Sequence, residues 1–280
     1  MKPALRSDDC AVDHIVMSRD WAGTVSENDR DFIQSLERGL TVLLAFDDRL
    51  AHPTLAGLAT ATGLSRPAVR RILLTLQRLG YVRSEGSRWA LTPRVLLIGQ
   101  RYFASNALVE VAQPHLLALA EETQESASLA TLDGGEVVYI ARVPVRRIMS
   151  INVAVGTRVP VHATSMGRVL LAWQDEATVD RQLAGIELTR FTDRTITTPA
   201  DLRAVLAEVR ATGYSIVDQE LETGLISASV PVRDHRGQVV AALASSTSSG
   251  RSDTGSLRND VVPLLVKAAG QIGAELGHRG

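Results

Sequence analysis

The residues best equipped for chemistry in this chain are its arginines. Eight of them, at 66, 70, 71, 78, 83, 88, 94 and 101, stand in one window against a single acid, Glu85, so that window carries +7. The whole chain carries −1, which leaves −8 (−1 minus +7) for everything outside it. All eight are Arg and none is Lys, and a planar guanidinium suits bidentate contact with phosphate or with a guanine edge. An acidic protein that gathers its guanidiniums in one short stretch shows the electrostatic footprint of a polyanion ligand. The plainer alternative is an Arg-rich helix face that merely meets solvent.

A second group of residues could hold a carboxylate. His162-Ala163-Thr164-Ser165-Met166-Gly167 reads as a strand running directly into a helix. Free N–H groups at Ser165 to Arg168, together with the helix dipole, would make an anion site. Thr164 or Ser165 could cap that helix and also touch a ligand, or serve as caps alone. Arg142, Arg146 and Arg147 fall on a strand and the turn after it, where one could clamp a carboxylate. Otherwise Arg142 lies on a solvated turn and bridges to an acid such as Glu136. His162 reads more readily as a satisfied structural histidine, and Trp89 and Trp173 as core side chains.

Catalysis finds little support in the sequence. There is no Gly-rich phosphate loop, no G-x-S-x-G elbow and no H-E-x-x-H spacing. The six histidines (14, 52, 115, 162, 235, 278) are scattered, Cys10 has no activating base nearby, and Glu220 with Glu222 specify nothing alone. No metal site and no cofactor is expected.

Positioning the arginines requires a particular set of elements. A helix over Phe32 to Phe46 has Ile33, Leu36, Leu40, Leu43 and Leu44 as its stripe to bury. A short helix follows from Thr54 to Thr62, then a turn at Gly63-Leu64. Ser65 is a good N-cap and Pro67 falls in the first turn of a second helix, Arg66 to Leu79. Val69, Ile72, Leu73, Leu76 and Leu79 form its apolar stripe, with Leu74 fitting neither face, and Gly80 ends it. Ser65, Arg66, Ala68, Arg70, Arg71, Thr75 and Arg78 remain for the outside. A basic hairpin from Tyr81 to Thr92, turning at Glu85-Gly86-Ser87, adds Arg83 and Arg88. That order is a winged helix-turn-helix, which places one helix in the major groove of double-stranded DNA.

Thr92-Pro93 opens another helix, Arg94 to about Ser105, whose Val95, Leu96, Ile98, Tyr102 and Phe103 need covering. We read it as a linker helix packed on its counterpart in a dimer, with packing on its own domain as the alternative. Beyond it, a helix from Ala107 to Glu125 precedes strands at Ala127 to Leu132 and Glu136 to Val143, joined at Asp133-Gly134-Gly135. Strands at Ile148 to Val155 and Arg158 to Val161 come next. Helices then follow at Met166 to Trp173, Glu176 to Leu183 and Asp201 to Thr212. Strands return at Tyr214 to Asp218, Leu225 to Val232 and Gln238 to Ser246, before a closing helix over Leu257 to Leu276. This makes an α+β fold with a mostly antiparallel sheet.

At 280 residues two domains are the natural expectation, and the 45 % hydrophobic content is enough for real cores. We divide the chain into an N-terminal arm expected to be disordered (1–28), a winged helix-turn-helix domain (29–92), a linker helix (93–106) and a sensor-like α+β domain (107–280). Within the arm, Val12 to Met17 could form a short helix. No run reaches the ~20 apolar residues a membrane span needs, and no signal peptide is evident at the N-terminus. With Cys10 as the sole cysteine, no internal disulfide can form, and a cytoplasmic home is expected.

Several stretches together resemble the IclR family of bacterial transcriptional regulators. They are FIQSLERGLTVLLAF (32–46), GLSRPAVRRILLTLQRLGYV (63–82), SASLATLDGGEVVYIARVPVRRIMS (126–150), VGTRVPVHATSMGRVLLA (155–172) and GYSIVDQELETGLISASVPVRD (213–234). The likeness extends over about Phe32 to Leu276, and is greatest to the branch controlling aromatic-acid breakdown through protocatechuate and the β-ketoadipate pathway.

The resemblance implies a winged-helix domain, a linker helix and a GAF-like effector domain. It also implies a homodimer, often a dimer of dimers, on palindromic promoter DNA, with RNA polymerase as a further partner if the protein activates. The implied effector is an aromatic or other carboxylic acid. The family's ligand contacts match Met166, Gly167, Asp218 and Ser227 here. Alternation puts Ser227 and Ser229 on one strand face, where both hydroxyls could meet a phenol or carboxylate. Asp218 would repel a carboxylate beside it, so it should face the ligand's hydroxyl end or bond backbone amides. Ligand would then order the segment from His162 to Gly167 and reset the recognition helices through the linker. The competing class is a DNA-binding architectural protein whose second domain only dimerises.

Overall fold

The computed structural model describes residues 31–46, 50–104, 106–145 and 153–279. The arm at 1–28, Arg146 and Arg147 lie outside them. The described residues form two compact units that meet in sequence between Asn106 and Ala107.

In the first unit the sequence signals act locally. Helices α1 (Gln34–Leu44), α2 (Leu55–Thr62) and α3 (Arg66–Arg78) are followed by strands β1 (Val82–Glu85) and β2 (Arg88–Leu91). Thr54 caps α2 by accepting from the Gly57 N–H at 3.1 Å, and Gly63 ends it at φ +70°. Ser65 caps α3 through the Ala68 N–H, with Pro67 in the first turn. The β1–β2 hairpin pairs Glu85 with Arg88 around Gly86 at φ +63°, a left-handed turn that glycine adopts without strain. Val42, Leu58, Val69, Leu73 and Val82 make the core, with Trp89 packed against it as expected.

Two of the expected apolar stripes are not buried among the described residues. On α1 the helix is shorter than Phe32–Phe46, and Ile33, Leu36, Leu40 and Leu44 are exposed, Leu36 by 59 %. Val42 enters the core in their place, with Leu43 partly packed on it. Leu36, Leu40 and Leu43 instead form one wall of an open groove of about 590 Å³, whose other wall is Ile72 and Leu76 of α3 with Leu79 at its C-cap. Leu79, expected in the core, is 52 % exposed. After a single 3-10 turn (Pro93–Val95), α4 (Leu96–Ala104) likewise exposes Leu96, Ile98, Tyr102 and Phe103.

The second unit is one antiparallel sheet between two helical layers. Strands β3 (Ser126–Asp133), β4 (Glu136–Val143), β5 (Arg158–Pro160), β6 (Ser215–Asp218), β7 (Leu225–Arg233) and β8 (Val239–Ser248) lie in the order β5-β4-β3-β8-β7-β6. Gly134 and Gly135, both at positive φ, close the β3–β4 hairpin. One face carries Leu129, Ile226, Val230 and Leu243 against α5 (Ala107–Thr123) and α9 (Val262–Glu275). The closing helix is therefore interrupted: a turn at Thr254–Ser256 and a π turn at Leu257–Val261 precede α9. The other face carries Ala130, Val137, Ala242 and Ala244 under α6 (Ser165–Ala172), α7 (Glu176–Gly185) and α8 (Pro199–Thr212). Fully burying each Leu, Val or Ile contributes roughly 1.5–3 kcal/mol, so the two faces supply most of this unit's stability.

The strand expected over Ile148 to Val155 does not extend into its described end: Val155 begins a turn at Gly156, φ +91°. The other boundaries agree within a few residues.

Candidate functional site

The recognition helix presents its cations where they are accessible. Ser65, Arg66, Arg70, Arg71, Thr75 and Arg78 are all exposed on α3, while Ala68 is half-buried. Ala68, Arg71 and Thr75 also border the groove against α1, and the Thr75 hydroxyl donates back to the Arg71 carbonyl at 2.9 Å. Arg66, Arg70 and Arg78 are the cations of α3 that do not border that groove.

The wing arginines are held in place. Arg83 Nε donates to Glu85 Oε1 at 2.7 Å, and this bond, reinforced by charge, keeps the Glu85 carboxyl below its usual pKa. Arg88 Nη1 donates to the His52 carbonyl at 2.7 Å, and the Trp89 N–H to the Pro53 carbonyl at 2.9 Å, tying β2 to the start of α2. Arg94 lies over the Tyr81 ring, 5.7 Å from its centroid, and against Gly80. It anchors the end of the wing as well as adding charge.

In the second unit the strand-to-helix segment builds a buried pocket. It is lined by Tyr139, Thr164, Ser165, Met166, Val217 and Ser227, with Ala163, Leu221, Leu225 and Ser246 completing the wall. Its free space is about 20 Å³, enough for one water. Thr164 caps α6, accepting from the Gly167 N–H at 3.2 Å and donating to the Pro160 carbonyl at 2.8 Å. The Gly167 N–H is thus committed, and the Arg168 N–H bonds the Thr164 carbonyl. Of the four amides expected to be open, Ser165 and Met166 remain, which still suits an anion at the first turn.

Gly167 does not line the pocket. A Cβ there would stand 2.2 Å from the Val161 carbonyl oxygen, so glycine is what lets α6 approach the backbone beside β5. Asp218 does not line it either. Strand alternation sets it with Ile216 on the opposite face from Val217, and its carboxylate pairs with Arg194. Ser227 and Ser229 do share the α6-facing side of β7, and Ser227 reaches the pocket.

Arg142 faces the same side, between Ala141 and Val143 of the opposite core. Glu136 pairs with Arg158 at 2.6 Å and not with Arg142. Burial lowers the Arg142 pKa, offset in part by Tyr139 nearby, and its Nε has no partner. Burial also pushes the Tyr139 phenol up to about 12, so it stays neutral and able to donate. Sequence reasoning missed Tyr139. A bulge between Leu129 and Ala130 resets its register, and nothing local announces that.

The segment beneath α6 is already fixed, contrary to the expectation that ligand would order it. His162 is 1 % exposed, bonds the Thr189 carbonyl through Nε2 at 3.0 Å and stacks on Phe191; burial lowers its pKa. It is a structural histidine. Arg168, 3 % exposed, donates to the His162 carbonyl at 3.1 Å and to Glu220 Oε2 at 2.5 Å. Glu220 also accepts the Ile196 N–H at 3.1 Å, and Thr195 Oγ1 donates to the Glu220 carbonyl at 2.6 Å. This buried pair clamps the 187–198 segment and the end of β6 onto α6.

No group of three or more potential metal ligands occurs among the described residues. No helix among them is long and apolar enough to cross a membrane.

The chain is similar to known proteins over both units. The model of the IclR helix-turn-helix domain matches residues 35–86, and that of the bacterial transcriptional regulator IclR C-terminal domain matches residues 100–274. The Pca regulon regulatory protein of Pseudomonas putida is 43 % identical over 242 residues, 86 % of this chain and 83 % of that one. The p-hydroxybenzoate hydroxylase transcriptional activator of Acinetobacter baylyi is 35 % identical over 86 % of this chain and 91 % of its own. Among solved structures, an IclR homolog from Microbacterium hydrocarbonoxydans complexed with 4-hydroxybenzoate superposes with a TM-score of 0.77. It is 26 % identical over 86 % of this chain and 98 % of that one. These relatives are regulators and not enzymes. From the matched domains and the aligned relatives, the chain belongs to the IclR family of bacterial transcriptional regulators.

Proposed function

We propose that residues 29–92 read promoter DNA, that 93–106 link the units, and that 107–280 bind a small aromatic acid which changes promoter binding or activation. The observation that carries the effector reading is the pocket itself. Two open amides at the start of α6, the Ser227 and Ser246 hydroxyls and the Tyr139 phenol converge on one buried space. Helix-terminal amides are suited to a carboxylate and hydroxyls to a phenol. The Acinetobacter relative is by name the transcriptional activator of p-hydroxybenzoate hydroxylase, and the Microbacterium protein was solved with 4-hydroxybenzoate, which supports this class of ligand.

The pocket must widen to take such a ligand. Its 20 Å³ is far below the few hundred Å³ of an ordinary ligand site. Binding therefore favours a conformation in which α6 and the β6–β7 end of the sheet stand further apart, and that difference is what a regulator can use. On the DNA side, Arg66, Arg70, Arg71 and the wing residues Arg83 and Arg88 contact phosphates and base edges, with Ser65, Ala68 and Thr75 close to the groove floor. The exposed apolar faces of α1 and α4 pack on a second copy, giving a dimer whose two recognition helices span two half-sites.

Fluorescence anisotropy of the full chain on its own upstream intergenic DNA, with and without 4-hydroxybenzoate, tests the reading. The expected result is tight binding that weakens steeply with salt and shifts with the acid. Salt-independent binding would overturn the DNA contacts named here. Tight binding without any response to this or a related acid, by affinity or by transcription, would leave a second unit that only dimerises.

A further inference from the structure

The pocket adjoins a polar row that the family likeness does not explain. Strand register places Ser215 opposite Ser229, Ser229 opposite Ala244, Ala244 opposite Ser128, and Ser128 opposite Arg142. These five positions run across β6, β7, β8, β3 and β4 on the face under α6, with the small Ala244 at the centre. The row Val217–Ser227–Ser246, which lines the pocket, is the next one along, about 7 Å away at two residues per repeat.

The hydrogen bonding of this row is incomplete. Ser229 is 0 % and Ser215 3 % exposed, and neither hydroxyl has a partner; nor has the buried Nε of Arg142. The strand amides and carbonyls around Ser229 are engaged by ladders on both sides. Native interiors pair nearly all such groups, so three orphans in one register row beside a pocket require an explanation. On the same face the next row along is Ala242, Ala130 and the pocket-lining Tyr139, so the orphaned row runs between pocket-lining residues on both sides.

We propose that this row is a second subsite of the effector pocket, and that it selects a carboxylic acid carrying another oxygen function remote from the carboxylate. This rests on the effector reading above. With the carboxylate at the α6 amides, the remote oxygen reaches the neighbouring row. A neutral hydroxyl pairs with Ser229 and Ser215, and a second carboxylate with Arg142. An acid with no such oxygen leaves those groups unpaired, and sites built around hydrogen bonds reject ligands of that kind strongly.

Isothermal titration of the full chain with benzoate, 4-hydroxybenzoate and adipate decides the matter. Wild type should bind 4-hydroxybenzoate or adipate at least 100-fold more tightly than benzoate. If the hydroxy acid is preferred, Ser229→Ala and Ser215→Ala should each cut that preference by ten-fold or more while leaving benzoate unchanged. If the diacid is preferred, Arg142→Gln should do so. Each Ser→Ala variant should unfold at the wild-type temperature or above without ligand, since it deletes an unpaired hydroxyl, which separates a lost contact from a lost fold. Equal binding of all three acids, or a preference indifferent to these substitutions, overturns the row as a subsite while keeping the effector pocket. Binding of none of them overturns both.

Discussion

Gly167→Ala sets two effects of opposite sign against each other. In an ordinary helix interior, replacing Gly by Ala stabilises by roughly 0.5–1 kcal/mol through the unfolded chain and helix propensity. At Gly167 the added methyl would sit 2.2 Å from the Val161 carbonyl oxygen and 2.4 Å from its Cα. Both atoms are backbone, next to a Val161 that is itself buried, so no side-chain rotation relieves the overlap. Restoring ordinary contact requires α6 to move by about 1 Å, and overpacking of this kind costs typically 1–3 kcal/mol. The net expectation is a loss of about 1–2 kcal/mol, or roughly 2–8 °C in melting temperature for a unit of this size.

The matched control is Gly270→Ala on α9, where an added Cβ meets nothing within 4 Å; it should gain up to about 1 kcal/mol. Trp173, the C-cap of α6, reports on the region once Trp21 and Trp89 are replaced by Phe, and unfolding in urea gives both midpoints. Gly167→Ala should also weaken acid binding, because the Ser165 and Met166 amides move with the helix. If it proves as stabilising as Gly270→Ala, the close approach of α6 to the Val161 backbone is not what glycine serves.

Further predictions concern the clamp, the buried histidine and the division of labour. Arg168→Met should cost about 3–5 kcal/mol by leaving Glu220 buried and unpaired, and Glu220→Leu added to it should recover most of that in the same urea assay. Burial holds the His162 pKa below its unfolded value of 6.5. The unfolded chain therefore binds more protons, so the stability this group contributes is complete above pH 6.5 and is lost as pH falls toward the folded pKa. His162→Gln should flatten the stability profile between pH 7 and 5. Arg70→Ala should lower DNA affinity and the salt slope while leaving acid binding intact, and Ser227→Leu should do the reverse, read by anisotropy and titration. One folded variant that lost both activities would refute the separation.

Much of this was legible where signals are local. Ser65, Pro67 and the spacing of Val69 and Leu73 define α3 because a cap and a stripe lie within a few residues of each other. Thr164 announced α6 in the same way, and Gly134-Gly135 its hairpin. What depended on pairing across the chain was not legible. Arg168 meets Glu220 at a separation of 52 residues, and nothing beside either names the other. Ser215 gained its meaning only from the register that sets it opposite Ser229, and a one-residue slip would have turned it to the other face. Asp218 shows the converse. Its position fits the family pattern, yet strand alternation carries it to Arg194. The α1 stripe was read as core because its period is that of a buried face, but periodicity does not say whether the rest of the domain supplies a cover.

The unpaired row also gives a physical reason for the pocket's response to be coupled to stability. A buried hydroxyl without a partner costs about 1–3 kcal/mol relative to a satisfied one, so Ser215 and Ser229 hold the free unit below the stability its core would allow. Replacing them by Ala would recover some of that and at the same time remove what distinguishes one acid from another. A ligand that satisfies them binds the folded state alone, and at 100 times its Kd would raise stability by about 2.7 kcal/mol. The same groups cannot be both fully paired in the free protein and selective for an incoming oxygen. If the row is the proposed subsite, the acid that raises the Trp173 unfolding midpoint most should be the one that shifts DNA binding.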